Sequence, residues 1–128
     1  LGVTHELNNE FDMALKIYKR IIETRPSFLA AYNNLGSLYM RIGMLDLSIK
    51  TFKNIIRLNP DYSRAYLGIG VAFDKMGCST QAIRFYKKYI EIKPNSANIP
   101  HIKQRLDDLR SEKKIVKTGH LKLVSQTV

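Results

Sequence analysis

Apolar residues recur along this chain at steps of three and four, the spacing that lines one face of a helix. Between residues 29 and 42 they fall at Tyr32, Leu35, Leu38 and Tyr39; between 45 and 58 they fall at Leu45, Ile49, Phe52, Ile55 and Ile56. Gly43 separates the two stretches as a helix C-terminal residue, and Asp46 puts a carboxylate at the next helix start, where the dipole favours it. The second stretch stops at Leu58-Asn59-Pro60, because proline cannot continue a helix and its predecessor avoids the helical region. The pattern then returns. A step of 34 residues links Pro26, Pro60 and Pro94; Gly2, Gly36 and Gly70; Gly43 and Gly77; Tyr32 and Tyr66; Tyr18, Phe52 and Tyr86; and Ala14, Ser48 and Ala82. A fixed period of this length is the mark of a repeat array. It predicts antiparallel helix pairs at 1–8 with 11–24, 29–42 with 45–58, and 63–76 with 79–92.

Gly36 and Gly70 lie inside predicted helices, where glycine costs about 1 kcal/mol relative to alanine. Close approach of two helix backbones offsets that cost. The small residue on the second helix of each pair, Ser48 for Gly36 and Ala82 for Gly70, is the expected contact. After Pro94 the period breaks. Ile102, Leu106 and Leu109 keep helical spacing, and Pro100 suits a first helical turn, so residues 97–117 are expected to form a helix that caps the last unit. Residues 118–128 show no period and are expected to be a flexible tail.

These columns resemble the tetratricopeptide repeat (TPR) family. At the family's columns this chain reads Tyr32, Leu35-Gly36, Tyr39, Ser48, Phe52, Ile55 and Pro60, then Tyr66, Ile69-Gly70, Phe73, Ala82, Tyr86, Tyr89 and Pro94. Where the family usually has alanine this chain has Ile21, Ile55 and Tyr89. The resemblance implies an all-α fold, a right-handed superhelical array of antiparallel helix pairs (a TPR solenoid) with a C-terminal capping helix. It divides residues 1–96 into a truncated first repeat at 1–28, a second at 29–62 and a third at 63–96.

Composition narrows the function. Lysine and arginine outnumber aspartate and glutamate by 21 to 11, giving a net charge of +10. Such a balance speeds encounter with acidic partners without selecting one. Cys78 is the sole cysteine, which excludes an internal disulfide and a cysteine-based metal site. No apolar run is long enough for a membrane span, and a cytoplasmic location is the expectation. Catalytic chemistry is not indicated. His5, His101 and His120 have no partners at ligand spacing, and Asp107 and Asp108, adjacent on a helix, point about 100° apart. The stretch Gly68–Phe73 lacks the third glycine and the preceding strand of a dinucleotide-binding turn. The expectation is a non-enzymatic chain with no cofactor and no metal.

In the family the first helix of each unit lines a concave groove that holds a partner's peptide or helix. The resemblance therefore implies a protein–protein interaction scaffold. Helical spacing places Val3, Glu6, Leu7, Ala30, Asn33, Asn34, Ser37, Met40, Arg41, Arg64, Leu67, Val71, Asp74 and Lys75 on that side. Family members that clamp a double carboxylate use basic and Asn residues at set columns. Asn34 and Arg64 match two of these, whereas Val3 and Gly68 do not, so such a clamp is not expected. Lys16, Lys19, Lys50, Lys53, Arg84 and Lys87 recur on the second helices, and would align as a basic outer stripe, continued by Lys103, Arg110, Lys113, Lys114 and Lys117. The stripe suits an acidic protein, nucleic acid or lipid surface. No aromatics interleave with it to stack on bases, which argues against single-stranded nucleic acid, and nucleic acid is the less expected partner. Two rival readings stand beside the groove: a regulatory or targeting segment of a larger enzyme, and a basic adaptor that docks an acidic surface. Self-association through the truncated first repeat is a further expectation.

Overall fold

The computed structural model describes residues 2–126, with side chains described from Glu10 to Glu112. Those residues form six helices and no strand: α1 (Gly2–Thr24), α2 (Leu29–Arg41), α3 (Leu45–Leu58), α4 (Ser63–Lys75), α5 (Ser79–Ile92) and α6 (Ile99–Gln126). Successive helices pack on one another, and α2 also touches α4, so the first helices of the two complete pairs lie side by side.

Gly43 and Gly77 end α2 and α4 in the left-handed region, at φ +85° and +79°. An L side chain avoids that region, which is why both turns carry glycine. The chain then reverses through a six-to-one hydrogen bond, Met44 N–H to Tyr39 C=O at 2.8 Å and Cys78 N–H to Phe73 C=O at 2.9 Å. Residue 9, one period before Gly43, is Asn9. No reversal occurs there, and α1 is one continuous helix where the spacing predicts a pair at 1–8 and 11–24. At the other end α6 runs on through Gln126, over the span expected to be a tail, since no proline interrupts it after Pro100.

Two apolar clusters hold the array together. Ile49, Phe52, Ile55, Ala65, Ile69 and Ala72 join α3 to α4, and Ala65 and Ala72 are wholly buried, small enough to let the two repeats close on each other. Tyr66, Ala82, Tyr86 and Tyr89 join Ile99, Ile102, Leu106 and Leu109, so the apolar face of α6 covers the last helix pair.

The helix-interior glycines are explained differently from the sequence expectation. Ser48 does sit on α2, donating its hydroxyl to the Gly36 carbonyl at 2.7 Å. The space a side chain would need at Gly36, however, is filled by Phe52, four residues further along α3: an added Cβ would lie 2.9 Å from its ring. The same ring also meets Gly68 of α4, where a Cβ would lie 2.6 Å away. At Gly70 the obstructing ring is Tyr86, at 2.9 Å. The aromatic column needs the glycines, and the small-residue column accompanies them.

Candidate functional site

Asn34, Ser37 and Arg41 fall on one stripe of α2, spaced by three and four residues. Together with Glu10, Phe11, Ala14 and Tyr18 of α1 and Leu38 of α2 they line a hollow of about 310 Å³. Asn34, Ser37 and Arg41 are exposed, while Ala14 and Tyr18 are half-buried. The Arg41 guanidinium lies over the Phe11 ring, 5.5 Å from its centre, which orients the cation at the rim. Chemically the hollow offers an amide, a hydroxyl and a guanidinium above an apolar floor. That set can pair with a peptide backbone or a carboxylate while seating an apolar side chain.

The remaining expected groove residues do not gather there. Arg64 lines a separate hollow of about 290 Å³ with Asn59, Asp61, Tyr62, Ser63 and Lys93, at the turn between α3 and α4. Leu67 and Val71 are half-buried against the cluster that α6 completes. Met40 packs, half-buried, on the cluster between α3 and α4. Ala30 and Lys75 are exposed and Asn33 is half-buried. The side chains of Val3, Glu6 and Leu7 lie outside the described residues, as do those of Lys113, Lys114 and Lys117.

Asp74 is engaged within the protein. Arg105 of α6 grips it with two bonds, Nε to Oδ2 at 2.8 Å and an η-nitrogen to Oδ1 at 2.7 Å. The Tyr86 hydroxyl donates a third, to Oδ2 at 2.8 Å. The Arg105 bonds hold the Asp74 carboxyl below the usual carboxylate range; burial opposes this, and the Tyr86 bond adds to it. Burial and the same hydrogen bond push the Tyr86 phenol well above its ordinary range. With its side chain only 14% exposed, Asp74 is a brace between α4 and α6. Sequence reading could not find this pair, because Arg105 lies 31 residues away and outside the repeat.

Lys16 and Lys19 on α1, Lys50 and Lys53 on α3, and Arg84 and Lys87 on α5 are all exposed. Cys78 precedes α5, half-buried and with a free thiol. His101 is exposed, and no cluster able to hold a metal ion occurs among the described residues. No described helix is long and apolar enough to cross a membrane.

Known structures with the same arrangement share the fold at low sequence identity. The first TPR domain of human RPAP3, solved by NMR, superposes with a TM-score of 0.75 at 19% identity, over 88% of this chain and 89% of that one. The first TPR of Spaghetti (RPAP3) bound to the HSP90 peptide SRMEEVD gives 0.74 at 19%, over 88% and 87%. The type III secretion translocator chaperone SycD of Yersinia enterocolitica gives 0.76 at 13%, over 88% and 80%. No curated protein sequence matches the chain. The sequence profile of the tetratricopeptide repeat matches residues 29–62 and again 63–96, more than half of the chain. By that match and by its stacked helix pairs, the chain belongs to the tetratricopeptide repeat family, whose arrays are protein-interaction modules.

Proposed function

We propose that this chain is a scaffold that holds a peptide of a partner protein in the hollow between α1 and α2. The observation that carries the reading is the convergence of Asn34, Ser37 and Arg41 over the apolar floor of Ala14, Tyr18 and Leu38. Asn34 can pair with a peptide amide, and Arg41, held over Phe11, can take a carboxylate. Arg64, in its separate hollow, would meet only a ligand that continued past α2. The chain's chemistry on this reading is recognition and not catalysis.

One related structure carries an HSP90 peptide ending in EEVD. A double-carboxylate clamp of that kind is disfavoured here for a steric reason. The column that would supply a further basic residue holds Gly68, and a side chain there would collide with the Phe52 ring. The partner peptide is therefore expected to present one acidic group and one apolar anchor.

The test is selection of binders from a displayed random-peptide library on the full chain, followed by measurement of a selected peptide against Asn34→Ala/Arg41→Ala. Loss of a charge-assisted bond and an amide pair should weaken binding by about tenfold or more. Equal affinity for the variant and the unaltered chain would remove the site from this hollow.

A further inference from the structure

The surface of α5 carries a second concentration of chemistry that the groove does not use. Two hollows flank Lys87. One, of about 330 Å³, lies along the seam of α5 and α6 and is lined by Lys87, Ile90, Lys103, Leu106, Asp107 and Arg110. The other, of about 410 Å³, is lined by Tyr66, Arg84, Phe85, Lys87, Lys88 and Glu91. Each has an apolar floor: Leu106 is buried and Ile90 half-buried in the first, Tyr66 buried and Phe85 half-buried in the second. Each has a cationic rim. Glu91 is already matched by Lys88 at 3.7 Å. Among the described residues no carboxylate lies within ion-pair distance of Arg84, Lys87, Lys103 or Arg110.

The charge continues along α6. Lys103, Asp107 and Arg110 fall at steps of four and three, one helical row with a single acid. Residues 113–128 contain four lysines and no acidic residue.

We propose that this α5–α6 face docks an acidic, amphipathic segment of a partner protein, whose apolar side chains enter the two hollows and whose carboxylates meet the rim. The proposal is independent of the groove reading. Recessed apolar floors distinguish the surface from one made for other polyanions. A phosphodiester backbone and a phospholipid headgroup layer both present charge without the bulky apolar side chains that these hollows would seat. Carboxylates seven residues apart on a helix, two turns, match the spacing of Lys103 and Arg110 on α6.

The experiment uses a fluorescein-labelled synthetic peptide of glutamate and leucine with helical spacing, about sixteen residues and so ~24 Å of helix. Its anisotropy is titrated with the full chain at low and moderate salt. Binding should weaken with salt, and Lys87→Glu/Lys103→Glu should lower affinity by about tenfold or more. Both positions are exposed, and a melting curve checks that the variant folds. Lys50→Glu/Lys53→Glu, on α3, should change affinity far less, and a leucine-free glutamate peptide should bind at least several-fold more weakly. Asn34→Ala/Arg41→Ala should bind the Glu/Leu peptide as the unaltered chain does, which separates this face from the α1–α2 hollow. Equal loss in the α3 variant, equal binding of the leucine-free peptide, or tighter binding of phosphatidylserine vesicles or duplex DNA would each overturn the proposal.

Discussion

Phe52 sits with its ring between two stretches of helix backbone, and the absence of side chains at Gly36 and Gly68 makes that seat. An alanine at Gly68 would bring a methyl group to 2.6 Å from the ring, well inside contact distance, while Phe52 is only 2% exposed and closely surrounded. Overpacking of this kind costs about 1–3 kcal/mol. The gain in helix propensity returns about 1 kcal/mol. Gly68→Ala should therefore destabilise by up to about 2 kcal/mol and lower the melting temperature by up to roughly 8 °C. Phe52→Leu, itself destabilising, should make the same alanine better tolerated, so the double variant should be more stable than the sum of the single losses implies. A melting temperature raised by Gly68→Ala would mean the ring moves aside freely and leaves only the propensity gain. At this scale the sequence was legible only in part. The period identified Gly36 and Gly70 as contact points and named the small residues opposite as the cause. The ring that needs the space belongs to a neighbouring column, and spacing along a chain does not show which of two nearby side chains fills a gap.

At the scale of elements, α6 is fastened to the array by its apolar face and by the Arg105 grip on Asp74. Tyr89 adds to this from α5: its hydroxyl donates to Asn98 Oδ1 at 3.0 Å and lies 3.1 Å from Ser96 Oγ, tying down the turn that leads into α6. The large residue in a column where the family usually has alanine thus has a role at the cap. Asp74→Asn should weaken the attachment of α6 by about 1–2 kcal/mol at neutral pH, less than a fully buried pair because Arg105 is 39% exposed. The pH dependence has a definite sign. The folded protein holds the Asp74 carboxyl below its unfolded value of about 3.9, so the pair's contribution is complete above that pH. It declines as pH falls from there through the depressed folded value, because protons bind the unfolded chain first. Urea titrations should show the gap between Asp74→Asn and the unaltered chain at pH 7, and see it close under acid. A gap of equal size at pH 7 and at pH 2 would assign the loss to packing instead of charge.

Across the whole molecule each helix pair leaves an apolar face for the next one to cover, and α6 covers the last. Ile99, Ile102, Leu106 and Leu109 are each at most 6% exposed. Burial of such side chains contributes about 1.5–3 kcal/mol apiece, a sum comparable to the entire stability of a small domain. Truncation after Asn98 should therefore abolish cooperative unfolding of the third repeat and expose surface that binds an apolar dye, read by calorimetry and dye fluorescence. A truncated chain that melts as the full one does would show the cap to be dispensable.

The 34-residue period, the Gly and Pro punctuation and the three-four spacing determined by themselves that the chain is a helical repeat array, because each is a local property that the backbone imposes on sequence. They also placed Asn34, Ser37 and Arg41 on one face of one helix. Only the tertiary structure decided that these three meet α1 in a hollow, that Arg64 stands apart, and that Asp74 turns inward to a cap residue. It also decided that α1 runs straight through Asn9 and that α6 continues to Gln126. Those outcomes depend on which helices lie beside one another and on what each side chain finds there, and a contact made only once in the array leaves no periodic trace in the chain.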